Sequence, residues 1–291
     1  MKKAYSLLEL SMVVIITGIL IAGVIAGVGM IRAAKISNTR LFTSKSPAVE
    51  ISGMIAWYEG SLKESFNGSE ASEGSSLTAW YDLNPGSNSN VFGATKKNKL
   101  TSASSGTKFV GSGINSTPSV NFSGAANANF IISNSGSSTN FYQGTSLQNT
   151  IFLVIRPSAP SSTAQTILDS GSSGSPTASI SIRDNAIILN AGNSNSITTS
   201  FAAGNDYVVA AYFNTTASQV FVNNATLAAG SGDSGSNQLT GLTIGTDKSG
   251  ASGFGGLISE IIVYNRPLKI QERKDVMNYL SKKYKISVSG L

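Results

Sequence analysis

Leu10 to Ile31 reads LSMVVIITGILIAGVIAGVGMI, an unbroken run of 22 residues without a charge. As a helix rising about 1.5 Å per residue it reaches roughly 33 Å, enough to cross the hydrocarbon core of a bilayer. It exceeds the usual apolar region of a secretory signal, about 7 to 15 residues, and no Ala-x-Ala site follows it. A plain signal anchor fits the length but leaves Glu9 unexplained. A carboxylate at the edge of an apolar span costs on the order of a few kcal/mol and is usually kept for a partner. After Ile31 the chain continues RAAKISNTRLFTSKS, whose apolar positions Ala33, Ala34, Ile36, Leu41 and Phe42 keep helical spacing. The helix is expected to run to Ser44, and Pro47 marks its boundary.

The charge follows the same division. Residues 1 to 45 carry six bases and one acid, residues 46 to 265 eight bases and twelve acids, and residues 266 to 291 seven bases and two acids. The net +6 is therefore +5, −4 and +5 in turn. A nucleic-acid-binding domain concentrates basic residues on its folded body. Here the body is acidic, so no nucleic-acid partner is expected.

From Val49 onward, short apolar runs alternate with clusters drawn from 48 serines and 30 glycines, and only 12% of all residues are charged. Strands are predicted at 119–122, 130–133, 150–156, 166–169, 178–183, 186–189, 207–213, 218–222, 242–245 and 256–264. Many short strands with polar turns predict a mainly β chain: an antiparallel β-sandwich or jelly roll on a long N-terminal helical stalk. Asn67 to Ser76 and Leu100 to Gly113 read as long surface loops. Near the C-terminus, Pro267 suits a first helical turn. Val276, Tyr279, Leu280 and Tyr284 share one helix face, while Lys282, Lys283 and Lys285 complement the dipole at the helix end.

The absence of cysteine and histidine removes thiol nucleophiles, disulfides, histidine-ligated metals and any Ser-His-Asp triad. What remains is carboxylate chemistry. Glu260 stands alone on its strand, and Glu59, Glu64, Asp169 and Asp184 read as solvated surface acids. No enzymatic activity and no cofactor are expected. Calcium is the one metal the oxygen ligands would suit, with Asp82, Asp169 and Asp184, beside Asn84 and Asn185, as candidates; no EF-hand-like run occurs. Trp57 and Trp80 sit in apolar contexts and read as core.

Two resemblances accompany these readings. Lys2, Lys3, Ala4, Tyr5, Ser6, Leu7, Leu8, Glu9 and Leu10, with the apolar helix behind them, resemble the type IV pilin and pseudopilin family. The resemblance implies a leader at residues 1–4, cleavage by prepilin peptidase between Ala4 and Tyr5, and methylation of the new Tyr5 amine. It divides the chain into that leader, a helix at 5–45 that serves as membrane span and filament core, and a head at 46–291. Ala4 stands where the family usually has Gly, Tyr5 where it usually has Phe, and no Pro interrupts the helix before Pro47. In lipid the Tyr5 amine of one chain can pair with the Glu9 carboxylate of the next, setting axial register. Gly23 and Gly27 form a small-xxx-small pair that lets backbones approach, or are ordinary membrane-helix composition.

The head is similar to the laminin-G-like, concanavalin A-like family. The similarity rests on Ile55 to Tyr58, Trp80 to Leu83, Ser119 to Gly124, Ile151 to Arg156, Gln219 to Asn224, Leu242 to Gly245 and Gly256 to Leu268; the family's Trp before the Tyr207 strand is missing. Together the two resemblances imply a structural subunit of a type IV pilus-like surface filament, homo-oligomeric through its N-terminal helices. Such a subunit resides in the bacterial inner membrane as a precursor, then in an extracellular filament. The alternative is a minor or tip pilin, or a pseudopilin, whose lectin-like head binds glycan or protein.

Overall fold

The computed structural model describes residues 7–85, 99–102, 104, 106–133, 148–159, 161–171, 177–193, 197–200 and 202–291. The chain is a mainly β head, an antiparallel sandwich, on a long N-terminal helix, closed by a C-terminal helix. Helix α1 spans Leu7–Ser44. The strands are β1 (Met54–Glu59), β2 (Ala79–Trp80), β3 (Leu100–Ser102), β4 (Thr107–Val110), β5 (Ser119–Ser123), β6 (Phe130–Ser133), β7 (Gln148–Pro157) and β8 (Gln165–Asp169). They continue with β9 (Ser179–Arg183), β10 (Ala186–Asn190), β11 (Ile197–Ser200), β12 (Tyr207–Asn214), β13 (Ser218–Val222), β14 (Gly230–Gly232), β15 (Gly241–Ile244) and β16 (Gly255–Tyr264). Helix α2 spans Ile270–Tyr284.

One sheet runs β14-β13-β12-β7-β16-β5-β4, and the other β11-β10-β9-β8-β15-β6-β3-β2. The centre of the first sheet explains its sequence. Ile151, Leu153 and Ile155 of β7 face the core between the sheets, while Phe152 and Val154 face a second layer under α2. A strand buried on both faces needs a continuous apolar run rather than alternation, hence IFLVI here and YVVAAYF in β12. The inner core centres on Tyr58, Trp80, Phe122 and Phe130, whose rings pack at centroid distances of 5.8 to 6.1 Å. Burying each such side chain contributes about 1.5–3 kcal/mol.

Strand β16 joins three neighbours. It pairs with β7 along one edge and with β5 and then β1 along the other. Opposite β7 its register slips between Ile258 and Glu260. The extra residue, Ser259, is a bulge that re-phases the strand. Ile258 and Ile261 thereby both face the inner core, and Ile262 and Tyr264 the outer layer.

Two expectations are corrected. Leu100 to Gly113 is not a surface loop: it supplies β3 to one sheet and β4 to the other, strands too short and polar to show periodicity. Pro267 precedes α2 rather than opening it. Lys269 is the N-cap residue, and its N–H donates to Glu272 Oε2 at 2.7 Å.

Candidate functional site

Helix α1 divides into a bare part and a docked part. From Leu7 to Ile31 the large apolar side chains are 51% to 88% exposed. The four consecutive residues Val13, Val14, Ile15 and Ile16 are all exposed, and successive residues step about 100° around a helix, so no side of this part rests on the head. The hydroxyls of Ser11 and Thr17 donate to carbonyls of their own helix, Leu8 and Val13. This is how polar groups are closed off when the surroundings cannot bond them. Glu9 occupies the first turn, where a carboxylate complements the helix dipole. Gly18, Gly23, Gly27 and Gly29 face open space, since a Cβ on any of them would meet nothing within 4 Å. Ala4 and Tyr5 lie outside the described residues.

The last turns of α1 belong to the head. Thr39 and Thr43 are buried, Arg40 Nε donates to the Ser61 carbonyl at 3.0 Å, and Arg32 pairs with Glu73 at 3.1 Å. Two residues beyond α1, Ser46 caps the short 3-10 turn Pro47–Glu50, its Oγ accepting from the Ala48 N–H, and the Tyr264 hydroxyl donates to the Ala48 carbonyl at 2.9 Å.

The calcium candidates do not converge. Asp82 is buried and accepts the Trp57 and Asn84 N–H groups at 2.8 and 2.9 Å, pinning β1. Asp169 is buried and accepts the N–H groups of Ser170 and Lys248. Burial pushes its carboxyl upward, with those N–H groups opposing. Asp184 and Asn185 are exposed with φ of 49° and 65°, the turn of the β9–β10 hairpin. Among the described residues no cluster of three or more acids forms a metal site.

The reading of lone surface acids fails where β1 meets β16. Glu59 and Glu260 lie directly opposite each other, both on the outer face and both fully or almost fully buried. Like charges in that position repel, and Lys283 of α2 is set between them. Its Nζ is 2.8 Å from Glu59 Oε1 and 2.7 Å from Glu260 Oε2, with no side-chain exposure at either pair. Glu260 Oε1 accepts from Trp57 Nε1 at 2.7 Å and from the Tyr279 hydroxyl at 2.8 Å. Its Oε2 also accepts from the Tyr284 hydroxyl at 2.9 Å. Glu59 Oε2 accepts the N–H groups of Ser61 and Leu62 at 2.9 and 3.0 Å. Burial raises the Glu260 carboxyl above the usual range; Lys283 opposes this and Glu59 reinforces it. Burial likewise lifts both tyrosines well above the usual phenol value. Lys283 is thus an internal ion, not a dipole complement. Its signal in the sequence was its place four residues after Tyr279, on the apolar face of α2.

No protein-family model matches the sequence, and no curated protein does. Among solved structures, the chain is similar to Trypanosoma rangeli sialidase in complex with sialic acid, at 15% identity and a TM-score of 0.56, over 82% of this chain and 34% of that one. It is also similar to the binding domain of botulinum neurotoxin serotype G, at 13% identity and a TM-score of 0.51, over 79% of this chain and 51% of that one. The binding domain of Paraclostridial Mosquitocidal Protein 1 matches at 14% identity and a TM-score of 0.51, over 79% and 52%. The chain spans about a third of the sialidase and about half of each toxin binding domain. At these identities the likeness is one of fold, shared by enzymes and by binding domains.

Proposed function

We propose that this chain is a structural subunit of a type IV pilus-like surface filament, without enzymatic activity. In this reading it is held in the bacterial inner membrane as a precursor and then packed through α1 into a homo-oligomeric, extracellular helical filament. The observation that carries the reading is the apolar part of α1, bare on every side and continuous with turns fixed to the head. Each large apolar side chain left in water forgoes on the order of 1.5–3 kcal/mol, so this segment requires lipid or other helices around it. Four glycines that nothing in the chain requires, each costing about 1 kcal/mol against Ala in a helix, suit close approach by neighbouring helices. Glu9 then meets the Tyr5 amine of an adjacent subunit once prepilin peptidase has exposed it.

Glu9→Gln tests this against simple anchoring. The variant is expected to insert at least as well as the parent, because an amide costs less than a charge in lipid, while the yield of sheared surface filaments falls. Normal filament yield would overturn the Glu9 register. Likeness to a sialidase holding sialic acid and to two toxin binding domains favours a second reading, in which the head of a minor or tip subunit binds glycan or protein; a glycan-binding screen of the intact protein separates the two.

A further inference from the structure

The buried carboxylate pair is arranged for a reaction as well as for a charge balance. We propose that the head closes an intramolecular amide between Lys283 Nζ and the side-chain carboxyl of Glu260, with Glu59 as the base. This goes beyond the filament reading and does not depend on it.

Three features of the geometry carry the proposal. The nucleophile and the acceptor are in contact, with Nζ 2.7 Å from Glu260 Oε2, on elements held by the apolar layer around them. Such fixed proximity replaces the entropy cost of a bimolecular encounter. The other acceptor oxygen, Oε1, receives two donors, Trp57 Nε1–H and the Tyr279 hydroxyl. They polarise the carboxyl and stabilise negative charge developing on that oxygen as nitrogen adds to Cδ. The base is aimed as well: Glu59 is fixed through Oε2 by two backbone N–H groups, while its Oε1 lies 2.8 Å from Nζ and has no other polar partner. A single ammonium faces two buried carboxyl groups, and burial favours the neutral form of Glu260, which suits it as the electrophile.

The step balances without any further reagent. Glu59 takes one proton from the Lys283 ammonium, and the freed amine adds to Glu260 Cδ. The second proton leaves nitrogen with Oε2, which departs as water while the C–N bond becomes an amide. Ammonium, carboxylic acid and carboxylate give amide, water and carboxylic acid. Tyr284, whose hydroxyl donates to Oε2, assists the departing oxygen. The product fastens α2 to β16 covalently in a chain that has no cysteine.

The test is the intact mass of the full-length protein, purified in detergent, beside Lys283→Arg and Glu59→Gln. The parent is expected to be lighter by one water than the same sequence without the bond. Trypsin should fail to cut after Lys283, and the peptides carrying Glu260 and Lys283 should remain joined. Lys283→Arg should have its full mass. Glu59→Gln should also be unlinked while keeping a β-rich circular dichroism spectrum. A parent of full mass overturns the proposal, as does a bond to Glu59 in place of Glu260. A fully linked Glu59→Gln variant overturns the role given to the base.

Discussion

The two helices invert the usual relation between polarity and burial. The first part of α1 is almost wholly apolar and lies bare, whereas α2, with six charged side chains among its fifteen residues, buries Arg273 and Lys283. The difference lies in where the partners are. Lys283 meets Glu59 and Glu260; Arg273 donates to the Ala225 carbonyl at 2.9 Å and stacks 3.8 Å from the Phe221 ring. Every charge that α2 takes inward is answered within the chain. The bare side chains of α1 have no such neighbours in the head, so their surroundings are set by what lies outside it.

The strongest way to break this comparison is to remove the ion that α2 buries. Lys283→Met leaves two carboxyl groups facing each other in the layer and forfeits the proposed amide as well; loss of one partner of a buried charge cluster by itself costs about 3–5 kcal/mol. Chemical denaturation of the full-length protein in detergent should show a midpoint lowered accordingly. A loss below about 1 kcal/mol would mean that the cluster is not what seats α2.

A smaller effect is expected at the start of the same helix. Arg266 donates to both carboxylate oxygens of Glu272 at 2.8 and 2.7 Å and, with the Lys269 N–H, holds its pKa at about 2 against an ordinary 4.5. A depressed folded pKa means that the stability is fully present above pH 4.5 and is lost as pH falls from there towards 2. Both side chains are about a quarter exposed, so the contribution is on the order of 1 kcal/mol. Glu272→Gln should flatten the stability–pH slope in that window and leave it unchanged near neutrality.

The smallest expected effect is at Leu20, 62% exposed on the bare part of α1. Leu20→Ser should leave the unfolding midpoint of the head within about 0.5 kcal/mol of the parent, as surface substitutions do. A larger drop would show that the apolar part of α1 supports the head after all, and the contrast between the helices would fail.

The sequence made the periodic elements legible and left those set by register hidden. The end of α1 at Ser44 follows from apolar spacing up to Phe42 with Pro47 beyond. Strands such as Phe130–Ser133 and Ser218–Val222 declare themselves by apolar runs between turn residues. Strands such as Gly230–Gly232 and Leu100–Ser102 do not, because they are formed by their neighbours rather than by their own composition. The meeting of Glu59 with Glu260 needs the pairing of β1 with β16, residues 201 positions apart, and nothing local in the sequence encodes that register. Three lysines near a helix end suggest dipole complementation, but Lys283 lies four residues after Tyr279 on the buried face of α2, and position outweighs charge. Glu9 and the glycines proposed for assembly stand out by pattern alone: Glu9 falls in the first turn of α1, and a Cβ on Gly18, Gly23, Gly27 or Gly29 would meet nothing within 4 Å.

Because α1 passes from its bare part into its docked turns as one unbroken helix, the head's azimuth about the stalk is geared to the face that the stalk presents. Inserting a single residue between Ile31 and Arg32 would turn the head by about 100° and lift it by about 1.5 Å, while seven residues would restore its bearing to within roughly 20° at a height of about 10 Å. The stalk therefore works as a vernier, in which spacing and bearing change together with every residue added or removed.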